Sequence, residues 1–206
     1  MLTNTAANAF IDNFEEATGI SPAWSSFNDV SPTINVFQMM QVAGGAVNTL
    51  HSGEYAGNGA ITAAMNGFGV GTVVNTAIDP IHGIYCIDIT AFTGVSFWAK
   101  AANTTNSTIT LNYVLPTTNM ASENDAGMQT GGDCQTACYN HPHISYSLTT
   151  SWAQYTAPFA QAAGGSATVQ GVIQEIAWLS PDSDWDFSLD EISFYSGTPP
   201  AGAIAQ

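Results

Sequence analysis

Carboxylates stand in two segments near opposite ends of the chain, and both segments read as short β-strands. Residues 11–16 are Ile-Asp-Asn-Phe-Glu-Glu, and residues 188–195 are Ser-Leu-Asp-Glu-Ile-Ser-Phe-Tyr. When the first and last strands of an antiparallel sandwich pair, their carboxylates converge, and such hard oxygen ligands suit Ca²⁺. We therefore predict a structural calcium ion with Glu15 and Asp190 as leading ligands and Asp12 as a third. The alternative is that Glu15 and Asp190 are solvated residues at a sheet edge.

The segments between these carboxylates must bring them together, and their pattern predicts β-structure. Apolar and β-branched runs, such as residues 108–115, 143–148 and 172–179, are separated by clusters of Gly, Asn, Ser and Pro. This pattern is typical of many short strands punctuated by turns and differs from βαβ alternation. At 206 residues and 21.5 kDa the chain fits one all-β domain with a sizeable core. We expect a single antiparallel β-sandwich.

The charge of the chain excludes two classes of partner. One Lys, no Arg and 16 acidic residues give a formal net charge of −15. Nucleic acids and anionic membrane surfaces both need Lys and Arg to neutralise phosphate, so neither is expected as a partner. No apolar stretch reaches the roughly 20 residues that cross a bilayer, so membrane insertion is not expected. Only 8% of residues are charged, and a surface of neutral polar residues favours a secreted or cell-surface protein.

The cysteines agree with an oxidising compartment. Cys134 and Cys138 stand in a Gly-rich loop, at a spacing that allows a disulfide to close a tight loop. The alternative is a zinc site in which two thiolates combine with His141 and His143. Cys86 is flanked by apolar residues, which predicts a buried thiol.

Several motifs occur in an order that resembles a known family. The Asp-Asn-Phe-Glu segment opens the chain, and the Asp-Glu-Ile-Ser-Phe segment closes it. Between them lie His-Ser-Gly at 51–53, the strand at 94–100, Gly-Gly-Asp-Cys at 131–134, Cys-Tyr at 138–139, Ser-Leu-Thr at 147–149 and the aromatic segment at 152–159. Together they resemble the jelly-roll carbohydrate-binding modules of bacterial glycan-degrading and surface proteins, nearest to the family-11 type.

The resemblance implies a non-catalytic jelly-roll module that binds a polysaccharide or other glycan. It covers roughly residues 10–196. Residues 1–9 are then an N-terminal arm, and residues 197–206 are a Pro/Gly linker with an apolar tail. In relatives the turn at 51–53 lies near calcium, so Ser52 or its neighbouring carbonyls are expected to complete the coordination.

Aromatic planes decide how well such a module holds a sugar, because the ring presents an apolar face beside its hydroxyls. Trp98 and Phe97 are neighbours on one predicted strand and point to opposite faces. The resemblance favours Phe97 inward and Trp98 outward as a sugar contact; the alternative for Trp98 is a second buried layer beneath a loop. Phe68 is the other aromatic candidate. Trp178 is predicted to lie in the core, and the aromatic residues of segment 152–159 are expected to be framework.

Polar sugar contacts are carried over from the resemblance. In relatives the loop and strand at residues 125–143 contribute polar groups to the sugar groove, which nominates Asp133, Tyr139, His141 and His143. The alternative is that Asp133 caps the disulfide loop and that the histidines cover a sheet edge. A further candidate, Glu175, lies where relatives point polar residues into the groove; the alternative is an isolated acid in a half-solvated sheet.

Two other functions compete with sugar binding. The absence of Arg and the small number of aromatic candidates argue against strong sugar binding. The scarcity of Lys and Arg, the many Ser, Thr, Asn and Gly residues and the Ala-rich termini suit a self-assembling structural subunit of an extracellular fibre, sheath or surface layer, with copies of itself as partners. Copies at −15 each repel, so their contacts would be apolar or calcium-bridged. A glycosidase needs two carboxylates that face each other. Glu54 and Glu175 are the available nominees, but nothing in their flanking residues marks them as a pair, so the chain is not predicted to be an enzyme.

Overall fold

A computed structural model describes residues 10–15, 24–28, 39–58, 68–73, 86–119, 132–136, 138–163, 165, 167–181 and 184–205. Its strands are β1 (Phe10–Asp12), β2 (Trp24–Asn28), β3 (Met40–Ala43), β4 (His51–Asn58), β5 (Phe68–Val73), β6 (Ile87–Asp88), β7 (Gly94–Ala101), β8 (Thr108–Val114), β9 (His143–Ser147), β10 (Ala153–Pro158), β11 (Val172–Ile173), β12 (Glu175–Ser180) and β13 (Asp184–Tyr195). A 3₁₀ turn, Phe159–Gln161, follows β10. Among these elements there is no helix of the length and apolar character that crossing a bilayer requires.

Two antiparallel sheets form a sandwich. The first sheet has the strand order β10-β7-β13-β4-β3, with β1 paired to β13, and the second has the order β2-β5-β12-β8-β9. The short strands β6 and β11 form a separate pair. The pairs β3–β4 and β8–β9 join consecutive strands, whereas other neighbours are distant in sequence, as the position of β13 between β7 and β4 shows. The predicted all-β antiparallel sandwich is confirmed.

Alternate side chains of both sheets meet in an aromatic core. Phe97 of β7 is fully buried and stacks on Tyr155 of β10, with ring centroids 5.6 Å apart. Its ring also meets Trp178 of the second sheet at 5.8 Å, in an edge-to-face arrangement. Full burial of one large apolar side chain contributes about 1.5–3 kcal/mol. Phe97 therefore points inward and Trp178 belongs to the core, as predicted, and Tyr155 and Phe159 are buried framework residues.

β13 is the central strand of the first sheet. Its twelve residues pair with β4, with β7 and, near its end, with β1. Asp12 lies opposite Ile192, so the predicted pairing of the first and last carboxylate-bearing strands is confirmed. The register with β7 shifts between Asp190 and Ser193, and Glu191 has a φ of 46°. These features mark a β-bulge, which interrupts the in–out alternation beside the first strand.

A disulfide joins Cys134 and Cys138 in the segment between β8 and β9, as predicted. Because the two sulfur atoms are bonded to each other, they cannot act as thiolate ligands. The zinc alternative with His141 and His143 is therefore wrong. Cys86 is buried, as predicted, and takes no part in the disulfide.

Candidate functional site

The outward side of the second sheet carries a patch of polar side chains, here called the polar face. Its polar members are Thr110, Asn112, His143, Ser145 and Glu175. Residues that stand opposite each other on paired strands share a face of the sheet. Asn112 lies opposite His143 on β9, whereas Leu111 stands opposite both Ile144 and Trp178, which are buried in the core. The register thus places Asn112 and His143 on the side away from the core.

Glu175 brings a buried, unpaired oxygen to the polar face. It lies opposite Val114 on β8 and Val73 on β5, and its Oε1 has no hydrogen-bond partner among the described residues. Burial disfavours the ionised carboxylate and raises the pKa of Glu175 from 4.5 to about 7. Near neutral pH this group donates a hydrogen bond when protonated and accepts one when ionised. A sugar hydroxyl is able to serve as either partner.

The two predicted histidines have different surroundings. His143 is half-buried, and its Nδ1 donates to the carbonyl oxygen of His141 at 2.9 Å, which leaves Nε2 as the second polar atom of the ring. His141 Nδ1 lies 2.7 Å from Thr118 Oγ1. Burial, with a smaller contribution from His143, lowers the pKa of His141 to about 4, so the ring is neutral at neutral pH. His141 anchors the turn that contains Thr118, and His143 belongs to the polar face.

The disulfide segment is fixed beside these residues by its main chain. Asp133 N–H donates to the carbonyl of Pro116 at 2.8 Å, and Tyr139 N–H donates to that of Thr118 at 2.7 Å. The side chain of Asp133 is exposed. Tyr139 is 53% exposed, has a φ of 65°, and meets the ring of His141 edge-on at 6.2 Å. Tyr139 is therefore an aromatic plane available to solvent at the border of the polar face.

The remaining sugar candidates do not all join this group. Trp98 points outward, as predicted, but it lies opposite Asp190 in the first sheet, on the other side of the sandwich from Glu175. One groove therefore does not contain both Trp98 and Glu175, and Trp98 lies outside the polar face. Phe68 lies opposite Ser180 in β5, and its side chain is outside the described part of the structure.

The position of the two sheets also decides whether Glu54 and Glu175 are able to act as a glycosidase pair. Glu54 lies on β4 of the first sheet, opposite Ser188, and its neighbour Tyr55 is fully buried in the core. Glu54 therefore points outward from the first sheet, whereas Glu175 belongs to the outer side of the second. Two carboxylates on opposite sides of the sandwich do not face each other across a cleft, so they do not form a glycosidase pair.

Asp190 is the centre of a second acidic region, at the join of the chain ends. Its side chain is fully buried, and its Oδ2 accepts hydrogen bonds from Ala46 N–H at 2.7 Å and from Thr49 Oγ1 at 2.5 Å. Its Oδ1 accepts one from Glu191 N–H at 2.8 Å. These donors tie the β3–β4 loop to the last strand. Burial and the nearby charge of Glu15 raise the pKa of Asp190, although the hydrogen bonds oppose this shift.

Glu15 holds the other end of the same loop. Its Oε1 accepts hydrogen bonds from the main-chain N–H groups of Leu50 and His51, both at 2.7 Å, and its Oε2 lies 3.4 Å from His51 Nδ1. The hydrogen bond from His51 N–H is the main reason that the pKa of Glu15 lies below its usual value. The alternative that Asp190 is a solvated edge residue is therefore wrong, and Glu15 acts as an acceptor for the loop.

The third carboxylate of this region is Glu191, which the sequence did not single out. Burial raises its pKa, and the charges of Asp190 and Glu15 add to that effect. In a regular strand Glu191 would point away from Asp190, and only the bulge removes this alternation. Asp12, predicted as the third ligand, instead accepts hydrogen bonds from Phe14 N–H at 2.8 Å and Trp24 Nε1 at 2.5 Å. We call Glu15, Asp190 and Glu191 the carboxylate cluster.

Oxygen atoms converge at the loop beside the carboxylate cluster. A Cβ atom added to Gly45 would lie 2.0 Å from Thr49 Oγ1, 2.2 Å from the carbonyl oxygen of His51 and 2.7 Å from Asp190 Oδ2. Ser52 is buried, and its hydroxyl donates to the carbonyl of Gly44 at 3.3 Å, where it braces the loop. Within the described ranges no three His, Cys, Asp or Glu side chains form a metal-holding group. A cation here would depend on carbonyl and hydroxyl oxygens as well, which Ca²⁺ accepts.

Two solved carbohydrate-binding modules share this architecture. The family 11 module of the cellulosomal cellulase Lic26A-Cel5E of Clostridium thermocellum is 15% identical, with a TM-score of 0.54 over 93% of this chain and 96% of that one. A family 11 module from Clostridium thermocellum in complex with a β-1,3-1,4-mixed-linked tetrasaccharide is 15% identical, with a TM-score of 0.57 over 93% of this chain and 97% of that one. No family model and no curated protein sequence matches the chain.

The chain thus has the jelly-roll β-sandwich fold of carbohydrate-binding modules, as its motifs predicted. The match extends over nearly the whole of both chains, so it describes the complete sandwich. At 15% identity the likeness establishes the fold, and the function must be argued from the residues of this chain.

Proposed function

We propose that the chain is a non-catalytic module that binds a polysaccharide on the polar face. The observation that carries this proposal is the buried Oε1 of Glu175, which has no hydrogen-bond partner among the described residues. Asn112 on the adjoining strand β8 and His143 on the next strand, β9, point to the same side of the sheet and offer further polar atoms. Since an unpaired buried polar atom costs about 1–3 kcal/mol, a sugar hydroxyl that pairs with Glu175 recovers part of that cost on binding.

Tyr139 supplies the aromatic plane for this site. An exposed tyrosine at the border of the polar face suits the apolar side of a sugar ring. With a single described aromatic residue beside the site, binding is expected to be weak.

The Cys134–Cys138 disulfide and the mostly neutral surface support a place outside the cell. Disulfides persist in secreted and surface proteins and are rare in reducing compartments.

Calorimetric titration with a β-1,3-1,4-mixed-linked tetrasaccharide tests this function, because a protein with the same fold is solved with that sugar. We expect measurable binding that Glu175→Ala weakens about tenfold, which corresponds to about 1.4 kcal/mol. Glu54→Ala is the matched control, since Glu54 lies on the other sheet, and it leaves binding unchanged. Absence of binding to this sugar and to a panel of xylan, mannan and cellulose oligomers would contradict the proposal.

A structural calcium ion at the carboxylate cluster is the second part of the proposal. Glu15, Asp190 and Glu191 would hold it together with the hydroxyl of Thr49 and the carbonyl of His51. Support comes from the convergence of oxygens beside Gly45 and from the raised pKa values of Asp190 and Glu191. When bound, the ion supplies positive charge that offsets the repulsion among these carboxylates and links the two ends of the chain.

A further inference from the structure

The free edge of β10 is covered by residues 203–205, here called the tail. Ile204 N–H donates to the carbonyl of Gln154 at 2.8 Å, and Thr156 N–H donates to the carbonyl of Ile204 at 3.0 Å. Ile204 thereby forms a parallel bridge opposite Tyr155. β10 is the last strand of the first sheet, and its other side pairs with β7. The tail occupies the row of N–H and C=O groups that an edge strand otherwise presents to another chain.

The tail is attached to β10 by few interactions. Besides the two main-chain hydrogen bonds, Thr156 Oγ1 lies 3.5 Å from the carbonyl oxygen of Ile204. The side chain of Ile204 remains 40% exposed. A typical hydrogen bond contributes about 0.5–1.5 kcal/mol net, so this attachment is weak compared with a core strand. A contact of this strength is open to exchange.

The connection to the tail is a tight crossover. β10 and β13 are both antiparallel to β7, so a tail parallel to β10 is also parallel to β13. The chain must therefore turn back within residues 196–202 before it enters the edge. Gly197 and Gly202 have φ values of 73° and 84°, and Ala203 N–H donates to the carbonyl of Pro200 at 3.3 Å. Both glycines adopt the left-handed conformation that favours glycine, and the linker length decides whether the tail reaches its own edge.

Neither surface of this contact carries charge. β10 and residues 196–205 contain no Asp, Glu, Lys or Arg, in a chain with a formal net charge of −15. Two copies that meet here place neutral segments against each other, so no like-charged side chains of these segments oppose each other at the contact. Main-chain pairing at a sheet edge is an established way to bind an extended peptide.

We propose that the edge of β10 is a strand-accepting site, filled by the chain's own tail in the monomer and by the tail of a second copy in an assembly. Each copy then offers one edge and one tail, so the contact is heterologous and builds rings or open fibres. The site lies on the first sheet and does not involve the polar face. Loss of sugar binding therefore leaves this proposal untouched, and the reverse also holds.

Linker length sets the balance between the two occupants. A short flexible linker gives the tail an effective concentration in the millimolar range at its own edge. The intact chain is therefore monomeric at micromolar concentration and exchanges tails as its concentration approaches that range. The distance from β13 to the tail is three strand spacings of about 4.8 Å, or about 14 Å.

Deletion of residues 198–202 in the full chain tests the proposal. The deletion leaves Ser196, Gly197 and Ala203 before Ile204, which extend at most about 14 Å and leave no length for the reversal of direction. The tail then cannot reach its own edge but is free to reach another copy. In sedimentation velocity at micromolar concentration we expect the intact chain as a monomer and the deletion variant as dimers or longer species.

The matched control adds Ile204→Pro to the deletion, because proline lacks the N–H that donates to Gln154. This variant is expected to return to a monomer. A deletion variant that stays monomeric, with an intact far-UV spectrum and cooperative melting, overturns the proposal. Oligomers that persist with Ile204→Pro also overturn it, because they form without the tail.

Cross-linking gives a second measurement that keeps the linker intact. Full chains with Gln154→Cys are mixed with full chains that carry Ala203→Cys, and the mixture is oxidised mildly across a concentration series. Disulfide-linked heterodimers that increase toward millimolar concentration support tail exchange. Their absence at every concentration overturns it, since trapping accumulates even a minor exchanged species.

Discussion

The carboxylate cluster and the polar face both contain buried acidic groups, but only one of them is supplied with donors. Asp190 is fully buried and accepts hydrogen bonds from Ala46, Thr49 and Glu191. Glu175 has a buried oxygen without a partner among the described residues. An unpaired buried polar atom costs about 1–3 kcal/mol. The comparison teaches that missing donors, rather than burial, distinguish the acid that we propose as a ligand contact from the one that holds the fold.

Asp190→Ala tests the structural side of this comparison and has the largest expected effect. The substitution removes the acceptor of the buried Ala46 N–H and of the partly buried Thr49 Oγ1 and Glu191 N–H. A buried donor left unpaired costs about 1–3 kcal/mol, and the buried space that the side chain filled adds to this loss. We expect the free energy of unfolding to fall by about 3 kcal/mol or more, measured by urea denaturation with tryptophan fluorescence. Ser188→Ala is the control on the same strand, and a loss below about 1 kcal/mol for Asp190→Ala would contradict the role of this residue.

Calcium binding tests the same comparison, and its expected effect on stability is somewhat smaller. A ligand at a hundred times its Kd stabilises the folded state by about 2.7 kcal/mol, which is about 5–10 °C in Tm for a domain of this size. We expect that rise between chelator and millimolar calcium, and we expect Asp190→Asn to lose most of it. Glu175→Gln retains the full rise because Glu175 lies on the other sheet. Identical melting with calcium and with chelator argues against the ion.

Glu175→Gln tests the polar face through pH. Burial raises the pKa of Glu175 from its ordinary value of 4.5 to about 7, so the folded state binds more protons than the unfolded state between these values. Its contribution to stability is therefore present at low pH and is lost as the pH rises from 4.5 through about 7. We expect the variant to melt above the parent chain at pH 8 and close to it at pH 4. Equal differences at both pH values would show that Glu175 is not buried as described.

Much of the fold was predictable because it rests on local periodicity. The inward position of Phe97 follows from its neighbour Trp98 on a strand, and the join of chain ends follows from carboxylates in the first and last strands. The pairing of Cys134 with Cys138 follows from their spacing. These inferences need only the alternation of a strand or the short reach of a loop.

The site was harder to predict because it depends on which sheet each strand joins. Trp98 and Glu175 both point outward from their strands, yet their strands belong to different sheets, and nothing in the local pattern reports that assignment. Glu191 was missed for a related reason, since only a bulge in β13 removes the alternation that separates it from Asp190. The lowered pKa of His141 likewise depends on burial beside Thr118, a contact across 23 positions of sequence.

Glu15→Gln makes the smallest and most discriminating test of the comparison. Hydrogen bonds from the loop, above all from His51 N–H, lower the pKa of Glu15, so its contribution is present at neutral pH and is lost as the pH falls through the folded-state pKa. The variant keeps one acceptor and loses the charge, so we expect a small decrease in Tm at pH 7 that disappears once the pH is below the folded-state pKa of Glu15. This pH dependence is opposite in sign to that of Glu175→Gln. If both variants shift Tm in the same direction at pH 7 to 8, the two acidic regions do not differ in the supply of donors, and the distinction between a structural acid and a ligand-ready acid fails for this chain.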